Sequence, residues 1–156
     1  MRNSTRGTWL AVLAAGLAVL HSVDLSAQAP ARSEVVGIWE AENGNLKFEM
    51  FEAGGSHAAR MIYGNRLVEA DGKTFKKDTL NPDPNLRDRS LQGIVFLKDL
   101  KWDASDRRWE GGSLYDGWSG RTYSARVSLV SGKMELRGYM GVPALGQTVT
   151  LRRVAP

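Results

Sequence analysis

The chain has 156 residues, 42% hydrophobic and 24% charged, a balance that fits one globular domain and is too apolar for a disordered chain. With no cysteine, zinc–thiolate sites, iron–sulfur clusters, thiol nucleophiles and redox dithiols are excluded. The formal net charge of +4 is mild, and of two histidines one, His21, falls in an N-terminal leader, so His57 alone remains for any Ser-His or multi-histidine site.

Arg2 and Arg6 precede an unbroken apolar run from Trp9 to Leu20, followed by small and polar residues. This is the pattern of a secretory signal peptide, and the run is shorter than the roughly 20 residues needed to span a bilayer. Residues 1–27 are read as that leader, cut between 27 and 31. Ala27-Gln28-Ala29 supplies a small-x-small site, and Pro30 makes cutting after Ala27 or Ala31 an equal alternative. No cysteine follows the run to carry a lipid. The expectation is a periplasmic or secreted protein with no stable membrane anchor. Removing the leader leaves 19 basic against 16 acidic side chains. The bases come as scattered pairs (Lys76-Lys77, Arg107-Arg108, Arg152-Arg153) rather than a stripe, which argues against nucleic acid but leaves room for an anionic partner.

From residue 35 onward, short segments of period-two alternation are separated by turn residues, and no stretch keeps helical apolar spacing. The first predicted strand is 35–41, turned by Asn43-Gly44-Asn45 into 46–52, where Leu46, Phe48 and Met50 share a face. After Gly54-Gly55 comes 57–63, with His57 at the hairpin tip and Ala59, Met61 and Tyr63 on one side. A long polar connection runs from 64 to about 90. The sheet resumes over 91–100, loops at 103–107, continues through 109–115, turns at 116–120 and returns over 122–130 with Tyr123, Ala125, Val127 and Leu129 inward. Ser131-Gly132 is a tight hairpin signal, and 134–139 and 148–154 complete eight strands. Gly111-Gly112, inside the fifth, marks a bulge or sharp bend rather than a phosphate loop.

Eight strands joined mostly by hairpins suit an all-β, eight-stranded antiparallel up-and-down barrel, with one long loop holding a short helix. Such a barrel removes exposed edges and leaves an interior for side chains or one small ligand. A two-sheet sandwich is the alternative. Residues 32–156 are read as a single domain, expected to be monomeric.

Gly37-Ile38-Trp39 on the first strand and Arg153 near the end of the last resemble the calycin signature of lipocalins and fatty-acid-binding proteins. That resemblance implies a base clamp in which Trp39 stacks against Arg153, a cation–indole contact contributing about 0.5 to 2 kcal/mol. A wider resemblance rests on Asn81-Pro82-Asp83-Pro84-Asn85-Leu86-Arg87-Asp88-Arg89, Gly93-Ile94, Trp109-Glu110 with Tyr115-Asp116, Gly120 through Ala125, and Leu136-Arg137-Gly138-Tyr139 with Gly146, in this order. Together these are similar to domain of unknown function 2147, small exported bacterial proteins with a lipocalin-like barrel. The resemblance implies a fold and a compartment and carries no catalytic residue. Members often have two cysteines at what are here Ala53 and Ala58, so any disulfide clip lapses in this chain.

The long connection holds the densest polar information. Asp83-Pro84 reads as a helix cap followed by proline in the first turn, with Arg87 and Arg89 near the helix end, where positive charge suits the dipole. Asn81, Asp83 and Asn85 show the oxygen spacing of a calcium loop, but Leu86 stands where glycine is needed and no acid follows at the twelfth position, so no metal is assigned. The functional version has this segment capping the barrel, with Arg87 or Arg89, and Asn81 and Asp83 beside them, facing an anionic head group. Tyr115 and Tyr123 are the strand residues that could line a pocket, whereas Arg137 and Tyr139 face away from Leu136.

Catalysis is disfavoured: there is no G-x-S-x-G, and Glu110 and Asp116, taken to share a face, stand roughly 20 Å apart along one strand. No cofactor is called for. The function expected is binding of a small hydrophobic or amphipathic molecule in the cell envelope. The alternative is a barrel filled by its own side chains, such as Phe48, Met50, Phe96 and Trp109, whose long loop acts on a protein or membrane surface.

Overall fold

The computed structural model describes residues 33–154, so the expected leader and its expected cleavage site lie outside the described residues. The strands are β1 (Gly37–Ala41), β2 (Leu46–Ala53), β3 (Ser56–Gly64), β4 (Val95–Asp103), β5 (Arg108–Asp116), β6 (Arg121–Val130), β7 (Lys133–Tyr139) and β8 (Gln147–Val154). Each pairs antiparallel with the next and β8 closes on β1, so the barrel has no unpaired edge strand. In this meander the connections β1–β2, β3–β4, β5–β6 and β7–β8 gather at one end, the mouth. The chain enters and leaves the barrel at the other, the base, where Ile38 stands opposite Val154.

Alternation accounts for most of the core. Phe48 and Met50 on β2, Ala59 and Met61 on β3, Ala125 and Val127 on β6, and Met134 and Leu136 on β7 are all buried. Bulges and register shifts account for what strict alternation would misplace: between Lys47 and Phe48 the β2–β3 register shifts, so Tyr63 stands opposite Lys47 rather than on the face of Ala59 and Met61 where it was expected. Leu97 and Leu100, three apart, are both fully buried, because Asp99 between them takes a left-handed backbone (φ 63°) and absorbs an extra residue. On β5, Gly111 (φ 71°) does the same between Trp109 and Gly112, the bulge expected at this glycine pair. The two irregularities lie side by side, so Lys98 opposite Ser113 and Lys101 opposite Glu110 keep a common register. Each strand instead slips against its other neighbour. The extra residue also turns Glu110 and Asp116 to opposite faces, correcting the expectation that they share one.

β4 starts at Val95 rather than at Leu91. Of the residues ahead of it, Leu91 donates its N–H to the Lys76 carbonyl of the long loop at 2.9 Å and the Ile94 carbonyl accepts from Met61 N–H of β3 at 2.9 Å, and both are buried without a strand. The loop's helix is a single 3₁₀ turn, Pro84–Leu86, capped by the Asp83 side chain accepting from Asn85 N–H, and is too short for a dipole effect of the kind expected at Arg87 and Arg89. A second 3₁₀ turn, Pro143–Leu145, lies in the β7–β8 connection.

The base half of the lumen is filled. Trp109 packs against Trp102 with ring centroids 4.6 Å apart and edge-on against His57 at 6.1 Å. His57, expected at a hairpin tip, is 5% exposed: it is the second residue of β3, paired with the buried Leu100, and its ring is turned inward. Phe48 meets Phe96 edge-on at 5.4 Å.

Candidate functional site

The mouth half of the lumen opens into a cavity of about 1000 Å³, within the range of small-molecule sites. Leu46, Met61, Leu114 and Leu136 line its wall, each brought inward by the alternation that buries its strand neighbours, and Phe96 joins them because the register between β3 and β4 shifts beside it and lets it face inward next to Leu97. Phe96 thus faces the cavity while its partner Phe48 belongs to the filled half, so of the four large residues that could have blocked the interior, only the base is occupied. Gly138 also lines the wall, and a Cβ there would meet Leu114 and Tyr123 no closer than 4.0 Å.

The rim is built from the four gathered connections. Asn43 and Asn45 come from the β1–β2 turn, Arg66 from the start of the long loop, Trp118 and Arg121 from the β5–β6 turn and the start of β6, and Met140 and Leu145 from the β7–β8 connection. Trp118 is 43% exposed and carries two cations on its ring, Arg66 Cζ at 4.7 Å and Lys76 Nζ at 4.8 Å from the centroid. Behind it lies a second hollow of about 390 Å³ that shares Arg66, Gly117 and Trp118 with the first and adds Glu69, Lys76, Lys77, Thr79 and Leu80.

The long loop is fastened to β5 and the β5–β6 turn around Asp78, which is fully buried. Its carboxylate accepts from Asn81 Nδ2 at 2.7 Å, Arg89 Nε at 2.9 Å and Nη2 at 2.8 Å, and Tyr115 Oη at 2.5 Å. A buried carboxylate needs such a set of donors, since leaving it unpaired costs several kcal/mol. Burial first, then the hydrogen bond and charge of Asp78, push the Tyr115 hydroxyl up to about 12. Two close approaches complete the docking. Gly117 leaves room for Leu91, and at Gly120 (φ 69°) a Cβ would fall 2.0 Å from the Leu80 carbonyl oxygen, so backbone rests on backbone.

The residues singled out from sequence divide accordingly. Tyr115 and Tyr123 line the cavity, although the Tyr115 hydroxyl is committed to Asp78. Asn81, Asp83, Arg87 and Arg89 do not line it. Asn81 and Arg89 bind Asp78, Arg87 Nε donates to the Asn81 carbonyl at 2.8 Å, and the Asn81 side chain accepts from Asp83 N–H at 2.9 Å. The two arginines expected to face a head group are turned into the loop because Asp78 and the Asn81 carbonyl are the acceptors within reach. At the base, Arg153 Cζ sits 4.4 Å from the centroid of Trp39, its strand partner. Its guanidinium also donates to the carbonyls of Val36, at 2.7 Å, and Glu34. Arg137 grips the β7–β8 connection through the Pro143 carbonyl and Thr148.

Sequence reasoning missed Asp78, Arg66, Trp118 and Arg121. Nothing local distinguishes a lone aspartate in a polar loop as buried. The rim residues had a usable signal in the topology, since an up-and-down barrel brings alternate turns together. Among the described residues, Asp103, Asp106 and Glu110 bring carboxylate oxygens within 4.8 Å of one another. Arg108 occupies that cluster, pairing with both Asp106 and Glu110, and the Glu110 hydrogen bond raises its pKa further.

A closed eight-stranded antiparallel barrel with a clamped base and an open, mostly apolar lumen defines a lipocalin-like protein, an architecture suited to small-molecule binding. The chain belongs to the family described as "Uncharacterized protein conserved in bacteria (DUF2147)", which matches residues 37–153. The solved structure of protein HP1028 from the human pathogen Helicobacter pylori, described as belonging to the lipocalin family, is similar to it. The two are 35% identical with a TM-score of 0.64, and the match covers 78% of this chain and 83% of that one. No curated protein matches the chain.

Proposed function

We propose that this protein binds a small amphipathic molecule noncovalently in the mouth half of its barrel, and that it does so in the bacterial envelope after removal of its leader. The observation that carries the binding reading is the cavity of about 1000 Å³ itself, apolar in its wall and polar only at its rim. Apolar tails gain about 25 cal/mol for each Å² removed from water there, and the rim keeps a polar head solvated. The basic, apolar and small-residue order of residues 1–31 supports the compartment.

Uptake of the neutral fluorescent probe N-phenyl-1-naphthylamine tests the cavity. Wild type should take it up with saturation. Gly138→Trp, which projects an indole into the lumen without displacing backbone, should abolish uptake while the protein stays folded by circular dichroism. Equal uptake by both would remove the lumen as the site. N-terminal sequencing of protein recovered from the periplasm should find a chain beginning between Gln28 and Arg32. Recovery of the intact leader in the membrane fraction would overturn the compartment.

A further inference from the structure

The charged side chains that line the cavity are Arg66, Asp116 and Arg121, and they are not equally free. Asp116 is spent on its own turn: Oδ1 accepts from Trp118 N–H at 3.1 Å and Oδ2 from Ser119 Oγ at 2.6 Å. Arg121 stands opposite Asp116 in the β5–β6 register, yet neither it nor Arg66 has a carboxylate partner among the described residues. Arg66 instead rests its guanidinium on the face of Trp118, which fixes the plane of the fork and leaves its N–H edge available. Lys76 shares that indole and donates to the Arg66 carbonyl at 3.2 Å. Every other arginine of the long loop has an acceptor within the loop.

Two cations against one carboxylate that is already committed to its own turn leave the rim net positive above an apolar wall, and that selects the sign of what enters. We propose that the ligand is an amphiphile with an anionic head group, a carboxylate or phosphate monoester. Its tail lies along Leu114 and Leu136, and its head meets Arg66 and Arg121 where the lumen opens toward Trp118. This rests on the lumen being the binding site, as proposed above, and adds the chemical class of the ligand. Arg66 belongs to both hollows, so a head group there can extend past Trp118 toward Lys76. The planar fork of arginine suits both oxyanions, and a charge-assisted pair in a partly dry site is worth about tenfold or more in affinity.

Displacement of N-phenyl-1-naphthylamine by four ligands of equal tail length reads this directly: dodecanoic acid, dodecyl phosphate, 1-dodecanol and dodecylamine. On wild type, the two anions should displace at concentrations about tenfold or more below those needed for the alcohol, with the amine weakest. Acid and phosphate together identify an oxyanion site; a preference for one of them names the head group. The variant Arg66→Gln with Arg121→Gln should bring the acid to the level of the alcohol while leaving the alcohol unchanged. Arg66→Lys with Arg121→Lys should keep part of the preference. Arg60→Gln with Arg107→Gln removes the same charge from the outer wall and the β4–β5 turn and should keep all of it. Equal displacement by acid and alcohol on wild type would overturn the anionic class while leaving the lumen as a binding site. Retention of the preference in the glutamine variant would overturn the assignment to Arg66 and Arg121. Failure of the probe and all four ligands to bind would overturn the lumen reading and this inference with it.

Discussion

Tyr115 and Asp78, separated by 37 residues, are joined by a 2.5 Å hydrogen bond from the phenol to a carboxylate with no exposed surface. The longest connection of the barrel is therefore held by a charge buried inside it, with Asn81 and Arg89 as the other donors.

Arg89→Ala removes the cationic partner of that charge and leaves the carboxylate buried. The expected loss of stability is about 2 to 4 kcal/mol, because breaking one side of a buried pair strands the other. Since Arg89 does not touch the cavity, acid and alcohol ligands should lose affinity equally at matched folded fraction. Urea denaturation with the displacement assay checks both parts, and a selective loss for the acid would return Arg89 to the head-group role.

Tyr115→Phe should cost about 1.5 to 3 kcal/mol at neutral pH, the range for a hydrogen bond to a charged group, and it should also change the alkaline behaviour. In the folded protein Tyr115 holds its proton up to about 12, against about 10 for an ordinary tyrosine. The folded state then binds more protons than the unfolded state between those values, so stability is whole below about pH 10 and is lost as pH rises toward about 12. Denaturation midpoints from pH 9 to 12 should fall more steeply for wild type than for the phenylalanine variant. Parallel curves would mean that the hydroxyl is not held by Asp78.

Gly120→Ala should lift the long loop off the β5–β6 turn. The residue combines a left-handed φ of 69° with a carbonyl oxygen where the methyl would go, so the cost is about 2 to 3 kcal/mol. Hydrogen exchange should quicken at the amides of Asp78 and Leu91, whose acceptors are within the loop, and stay slow in β6 and β7. Uniform acceleration across the barrel would show that loop and barrel unfold as one unit.

At the base, Arg153→Ala should lower stability by about 1 to 3 kcal/mol, through the lost Trp39 contact and the two lost hydrogen bonds to the Val36 and Glu34 carbonyls. Gly37→Ala should cost about 1 to 2 kcal/mol, because φ is 131° and the new methyl would sit 2.6 Å from Arg153 Nη1. The end of the arginine can swing away, so backbone strain dominates, and combining the two substitutions should cost less than their sum. Full additivity in denaturation midpoints would mean that the two residues act independently. Probe uptake should persist in the folded fraction of all three variants.

The strands were legible because alternation and turn residues are local signals. Even the Gly111-Gly112 bulge announced itself, since glycine inside a strand has few other uses. Asp99 gave no such notice: an aspartate in a left-handed conformation looks in sequence like any solvent-facing residue, and Leu97 and Leu100 were separable only once the register with β3 was known. Most of the cavity wall followed from the same alternation, with Phe96, which joins it, and Tyr63, which does not, the exceptions where the registers of β3 shift, but the rim did not. Arg66, Trp118 and Arg121 come from segments far apart in the chain, and which arginines are free depends on acceptors that only the folded loop brings near. Arg87 and Arg89 carried the stronger local pattern and are the two whose donors the loop uses.

The opposition of Ile38 and Val154 bears on how the molecule can be handled. The described residues enter and leave the barrel at its clamped base, at the far end of the strands from Trp118 and the arginines. A tag, a biotin or a fusion partner joined next to Ser33 or Val154 would hold the barrel by its base, with the mouth toward the liquid. A surface-captured sensor made from the N-terminal end should respond to ligand as one made from the C-terminal end does, whereas attachment through Lys76 or Lys77 would set the anchor beside the opening.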